Sequence, residues 1–203
     1  MKRFIFLLLF PLVVFSQNPD IDLLYSINKN GSPFFDDSFE FVSQSVTPLS
    51  VGVPIGIFIT GCVTHNNSAK QNAYLIGASS VLTSLISTSL KYSVKRERPF
   101  ITYPFIIKKT EAGSPSFPSG HTSAAFATAT SLSLAYPKWY VIAPSFLWAG
   151  AVGYSRMYLG AHYPSDVLTG ALIGAGCSFL SWKGQQWIMK KKKNQKEILP
   201  TTN

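Results

Sequence analysis

One cation, one imidazole and one carboxylate stand at fixed spacing in the stretch Ser155-Arg156-Met157-Tyr158-Leu159-Gly160-Ala161-His162-Tyr163-Pro164-Ser165-Asp166, between two apolar runs. Arg156 is a planar donor suited to phosphate oxygens. His162 and Asp166 are four residues apart, so at a helix start they share a face and can meet. A carboxylate that holds one imidazole nitrogen fixes the tautomer and frees the other nitrogen for chemistry. Two further stretches carry matching chemistry: Pro118-Ser119-Gly120-His121, and Lys91 followed after six residues by Arg98-Pro99. A phosphate needs converging donors. Lys91, Arg98 and Arg156 supply charge, and the Pro118–His121 stretch opens a helix whose free N–H groups and positive dipole end face an anion. Gly120 lets backbone come close, Ser119 donates its hydroxyl or caps the helix, and Pro99 stiffens the chain after Arg98.

Taken singly, these residues have plainer readings. A histidine at a helix start is more often a cap or a surface group, and an arginine beside an apolar run is more often an interface anchor. The joint spacing is what selects a phosphate site. The blocks K-x6-R-P, P-S-G-H and S-R-x5-H-x3-D are all intact, and in them the chain resembles the type 2 phosphatidic acid phosphatase superfamily, which also holds bacterial acid phosphatases and vanadium haloperoxidases. The resemblance covers Lys91 to Asp166 and the flanking helices. It implies an all-α fold and assigns roles. His162 is the nucleophile that forms a phosphohistidine, Asp166 orients it, and His121 protonates the leaving oxygen and then activates water. Lys91, Arg98, Ser119, Gly120 and Arg156 bind the phosphate. It implies no metal and no cofactor, with cations in the metal's place.

The elements that must position these groups are helices. Hydrophobic residues make up 46% of the 203-residue chain and charged residues only 13%, against about 25% charged in average soluble domains. That balance leans toward a membrane. The net charge of +9 does not indicate a nucleic-acid partner, because the cations fall in two clusters, one among the phosphate-binding blocks and one in the terminal tail. Cys62 and Cys177 lie in apolar runs and read as small buried hydrophobes. Residues 1–16 read as a secretory signal, with Lys2 and Arg3 ahead of an apolar run and cleavage after Ser16; an uncleaved anchor helix is the rival reading. Residues 17–45 form an external amphipathic segment of two short helical stripes broken at Asn30-Gly31-Ser32-Pro33, with two places open to it, a membrane surface or a cap on the bundle. Five apolar runs follow, at 46–63, 73–90, 122–136, 139–154 and 167–182, rich in small residues that let helices approach closely in lipid. A phosphatase bundle over 46–185 is expected, then a basic tail over 186–203.

With Gln17 outside, alternating spans place all three motifs on the external side and the lysine-rich tail in the cytoplasm, as the positive-inside bias favours. In the external loop, Lys95, Arg96, Lys108 and Lys109 read as surface charge, while Phe100, Tyr103, Phe105 and Ile106 are expected to pack onto the bundle. His65 reads as solvated. The leading expectation is a metal-independent lipid phosphatase of the bacterial inner membrane, with its site on the periplasmic side. Candidate substrates are undecaprenyl diphosphate, phosphatidate, phosphatidylglycerol phosphate and a lipid A phosphate, the first being favoured by resemblance alone. The alternatives are a secreted soluble acid phosphatase or vanadate-dependent haloperoxidase of the same superfamily, and a non-catalytic membrane scaffold.

Overall fold

The computed structural model describes residues 18–198, and the expected signal segment lies outside them. The described chain is helical throughout, with no strand. Two short helices, α1 (Pro19–Asn28) and α2 (Pro33–Gln44), lead into α3 (Val46–Val63) and α4 (Asn67–Val94); after the single turn α5 (Pro99–Thr102) come α6 (Gly120–Ala135), α7 (Trp139–Tyr158) and α8 (Pro164–Ile198). The five apolar runs fall on α3, α4, α6, α7 and α8, one run to each helix. The helices outlast the runs where good helix formers continue the pattern. Thus α8 passes unbroken through residue 185, the expected boundary of the tail, because Lys and Gln favour helix.

Starts and stops follow local chemistry. Asn18, Asn66 and Ser119 each accept a backbone N–H as the N-cap of α1, α4 and α6, which satisfies a donor that the first helical turn leaves free. Pro19 and Pro33 open α1 and α2, where a missing N–H costs nothing. At the end of α4, Lys95 takes a left-handed φ of 52° while its N–H bonds Lys91 O.

The core is built on close approach rather than bulk. Helix α6 lies at the centre, packed against α4, α7 and α8. A Cβ on Gly170 would stand 2.7 Å from Ser119 O, and one on Gly174 would stand 2.7 Å from Ala127 N. The Ser178 hydroxyl, one turn further, donates to Ala127 O at 2.9 Å. This ladder of small residues lets α8 lie directly on α6. Polar groups are turned inward: Ser79, Thr83, Thr122, Ser123, Thr128 and Ser131 are buried. Large apolar groups are turned outward: Val51, Ile55, Ile59, Val81, Leu85, Leu147, Leu168 and Leu172 are all exposed. That inversion suits a bundle whose surroundings are hydrocarbon. By length and composition, Pro33–Val63 and Asn67–Thr102 are apolar enough to cross a bilayer. Helix α6 is shorter, with 16 residues, and the apolar runs of α7 and α8 adjoin charged groups such as Arg156, Asp166 and Lys183.

One sequence expectation needs correcting. Cys62 is exposed while Cys177 is buried, because Cys62 sits on the outward apolar side of α3 rather than in its contact face. From Asn18 on, the amphipathic segment packs against the bundle, its α1 and α2 meeting α7. The Asn28 side chain is fully buried, donates to Ile107 O and Tyr158 O and accepts from Ile107 N. It pins α1 to the loop before α6 and to the end of α7.

Candidate active site

The C-terminal ends of α4 and α7 and the N-terminal ends of α6 and α8 meet at one end of the bundle. This places Lys91, Arg156, His121 and Asp166, from four separate helices, around one point. Lys91, Arg98, Gly120, His121, Arg156 and His162, with Glu111 and Ser114, line a cavity of about 260 Å³, which is room for a tetrahedral anion and the start of its substituent. Larger grooves elsewhere, such as the 710 Å³ groove between α1, α7 and α8, are apolar and lie on the outer surface.

Lys91 and Arg98 are held by backbone carbonyls, and Arg156 by a hydroxyl. Lys91 Nζ donates to Pro115 O at 2.7 Å and Pro118 O at 3.0 Å. Arg98 is buried and donates from Nε to Ser114 O at 2.7 Å and from Nη1 to Ala161 O at 2.8 Å. Arg156, also buried, donates to the hydroxyl of Ser43 in α2 at 2.6 Å. None of these three cations has a carboxylate partner within salt-bridge distance among the described residues. The cavity therefore holds concentrated positive charge in surroundings of low polarizability, where an anion is bound far more strongly than in water.

The two imidazoles differ in setting. His162 is buried in the turn between α7 and α8, not on a helix as the spacing suggested. Arg98 Nη1 stands 3.4 Å from His162 Nε2. A guanidinium only donates, so in this contact Nε2 is the acceptor and the ring proton belongs on Nδ1, the nitrogen that faces Asp166. The Nδ1–Oδ2 separation is 3.6 Å, an ion-pair distance beyond a hydrogen bond, and Nδ1 has no other partner among the described residues. Burial pushes the His162 pKa down to about 3; Asp166 opposes this, and Arg156 and Arg98 reinforce it. His121, in the first turn of α6, is lowered to about 4 by burial and by Arg156, Arg98 and Lys91. Both rings are thus neutral at neutral pH. Burial works to raise the Asp166 carboxyl, but contacts from His162, Ser116 and Arg96 outweigh it and hold it below the usual range.

The structure brings the residues singled out from sequence to this end of the bundle, but two of them do not line the cavity. One is Asp166, which stands behind His162; the other is Ser119. Its hydroxyl caps α6 and meets Thr122 Oγ1 at 2.8 Å, and its N–H bonds Asp166 O at 3.1 Å. It shapes the helix start and does not line the cavity. Two supposed surface cations are also placed differently. Arg96 bonds Asp166 Oδ1 at 2.7 Å and Asp20 Oδ2 at 2.9 Å. Lys109 is buried beside Asp36 at 3.1 Å, over the Tyr158 ring at 4.1 Å. Lys108 remains on the surface, paired with Glu111, and His65 is exposed. Ile106 is buried, and Phe100 and Tyr103 pack against it as expected; Phe105 stays half exposed. Sequence reading missed Asp20, Ser43, Ser114 and Ser116 as supports of the site, because no spacing links them to the residues they hold.

A profile of the PAP2 superfamily matches residues 72–190. The undecaprenyl-diphosphatase of Sulfolobus acidocaldarius is 37% identical over 111 residues, which are 52% of this chain and 53% of that protein. The lipid A 4′-phosphatase of Bacteroides thetaiotaomicron is 28% identical over 173 residues, covering 80% of this chain and 75% of the relative. In the first case, then, the chain spans about half the relative's length. The crystal structure of Aquifex aeolicus LpxE superposes with a TM-score of 0.69 at 31% identity, over 85% of this chain and 99% of that one.

Proposed function

The chain belongs to the PAP2 superfamily, and from that premise we propose that it is a membrane lipid phosphatase that releases phosphate from a lipid through a phosphohistidine on His162. The observation that carries this reading is the convergence of Lys91, Arg98, His121, Arg156 and His162 on one cavity. In the first step the Nε2 lone pair of His162 attacks phosphorus as the bond to the lipid oxygen breaks. His121 gives that oxygen its proton, so it must be protonated in the complex. The bound phosphate supplies negative charge that raises His121 from its value in the free enzyme. Lys91, Arg98 and Arg156 hold the equatorial oxygens as charge builds. Asp166 stabilises the positive charge on the ring of His162. In the second step His121 takes a proton from water, the resulting hydroxide attacks phosphorus, and the N–P bond breaks to release inorganic phosphate.

The outward apolar surface of α3, α4, α7 and α8 weighs against the secreted soluble alternative and favours a substrate whose tails stay in lipid while its headgroup reaches the helix ends. The proposed substrates are undecaprenyl diphosphate and a lipid A phosphate, the types named for the two curated relatives, with phosphatidate and phosphatidylglycerol phosphate behind them. In the proposed topology, residues 1–16 act as a signal, the apolar runs of α3, α4, α6, α7 and α8 span the inner membrane, and the site faces the periplasm. The tail from 186 then faces the cytoplasm. The test is phosphate release by purified wild type and His162→Ala on a panel of these lipids. Release by wild type alone supports the reading, and equal release by both removes the mechanism. A reporter fused after Asn203 is expected to be cytoplasmic; a periplasmic signal overturns the topology.

A further inference from the structure

The carboxylate of Asp166 is fully buried and gripped from both sides. Oδ2 accepts from the Ser116 hydroxyl and from Tyr163 N at 3.0 Å, and it faces His162. Oδ1 accepts from Arg96 Nη1 at 2.7 Å. Arg96 reaches every part of this arrangement. Its carbonyl accepts from Ser116 N at 2.8 Å, and its guanidinium lies 3.8 Å from the centre of the Tyr163 ring. Its Nη1 also donates to Ser165 Oγ at 2.7 Å. The other arm of the fork, Nη2, meets Asp20 Oδ2 at 2.9 Å. Asp20 in turn accepts from Ser165 N at 2.8 Å and from the Ser165 hydroxyl.

We propose that Arg96, itself held by Asp20 of the N-terminal helix, is a positioning residue that sets the orientation and effective charge of Asp166 and so of His162. This rests on the phosphohistidine mechanism. Two physical effects combine. Arg96 fixes the plane of the carboxylate, so that Oδ2 rather than Oδ1 is turned to Nδ1. Asp20 balances the guanidinium: Asp20, Arg96 and Asp166 together carry one net negative charge, which remains available to the imidazolium of the phosphohistidine. Without Asp20, Arg96 neutralises Asp166 alone. Without Arg96, two carboxylates are left near each other and Asp166 loses a charged donor. Neither Arg96 nor Asp20 lines the cavity, so neither acts on substrate directly. The N-terminal helix thereby becomes part of the reaction's apparatus although it contributes nothing to the phosphate cradle.

The experiment compares wild type, Arg96→Gln, Arg96→Lys, Asp20→Asn and the double variant Asp20→Asn/Arg96→Gln, with His162→Ala as the blank, in detergent on one lipid phosphate. Arg96→Gln is expected to lower kcat by about tenfold to a hundredfold, the usual effect of removing an outer partner of a reacting group, with KM and the inhibition constant of inorganic phosphate near wild type. Arg96→Lys keeps the charge but cannot make both fork contacts, and it falls between wild type and Arg96→Gln. Asp20→Asn lowers kcat in the wild-type background and by a clearly smaller factor in the Arg96→Gln background, where only its direct hold on Ser165 is left to lose. An Arg96→Gln or Arg96→Lys enzyme with wild-type kcat overturns the proposal. So does an Asp20→Asn loss that is undiminished beside Arg96→Gln, or a loss matched by an equal rise in the phosphate inhibition constant. Those results leave the phosphatase reading standing, whereas activity in His162→Ala removes that reading itself.

Discussion

Replacing Asp166 with asparagine keeps the shape of the side chain and removes its charge. Oδ2 stands 3.6 Å from His162 Nδ1. At that separation, with an effective dielectric of about 20, two unit charges attract by about 4 to 5 kcal/mol. In the free enzyme the imidazole is neutral, so little of this is felt. It is felt when His162 carries phosphorus and its ring turns cationic. The loss therefore falls on the transition state, and at about 1.4 kcal/mol per tenfold it amounts to about three orders of magnitude in kcat. Lys91, Arg98 and Arg156 are untouched, so inorganic phosphate should inhibit the variant about as well as wild type, which also certifies the fold. The assay is steady-state phosphate release from a lipid phosphate in micelles, with inorganic phosphate as competitor. A variant that binds phosphate normally and retains kcat within about tenfold of wild type would refute the electrostatic role given to Asp166.

Both imidazoles have folded pKa values below the unfolded value of about 6.5, His121 at about 4 and His162 at about 3. Their contribution to stability is therefore present above about pH 6.5 and is lost as pH falls toward those values, where the unfolded chain binds protons and the folded one does not. The melting temperature in detergent should fall between pH 7 and pH 4.5, less steeply in His121→Gln; equal slopes in the two proteins would contradict the burial argument. Vanadate, a phosphate mimic, should inhibit competitively and EDTA should leave activity intact; complete loss with EDTA would overturn the reliance on cations alone. Gly160 has a φ of 71°, and a Cβ there would stand 2.5 Å from Ile107 O. Gly160→Ala should thus cost about 1 to 3 kcal/mol and depress kcat by shifting the turn that carries His162, as measured by thermal melting and turnover; wild-type values in both would show that the turn tolerates a side chain. Gly174→Leu should separate α8 from α6 and lower the melting temperature, whereas Gly176→Leu, with open space around it, should not.

The sequence by itself determined the helical class, the five long helices and most of the cavity's lining. Those features rest on local signals: the length of the apolar runs, the N-cap at Ser119, and the order of Lys91, Arg98, His121, Arg156, His162 and Asp166. It also put Asn30-Gly31-Ser32-Pro33 between two short helices, as found. What only the tertiary structure decided is how charge is shared. Arg96 and Lys109 looked like surface cations because nothing in their neighbourhood along the chain distinguishes them from Lys95 and Lys108. Their partners, Asp20, Asp166 and Asp36, lie dozens of residues away, and only the packing of α1, α2 and the start of α8 at this end of the bundle brings them within 2.7 to 3.1 Å. For Ser119 the sequence left two roles, phosphate donor or helix cap, and its hydroxyl is turned to Thr122 as the cap of α6. Spacing along a chain fixes which residues share a helix face; which buried charge neutralises which depends on distances between helices, and those are set only when the bundle closes.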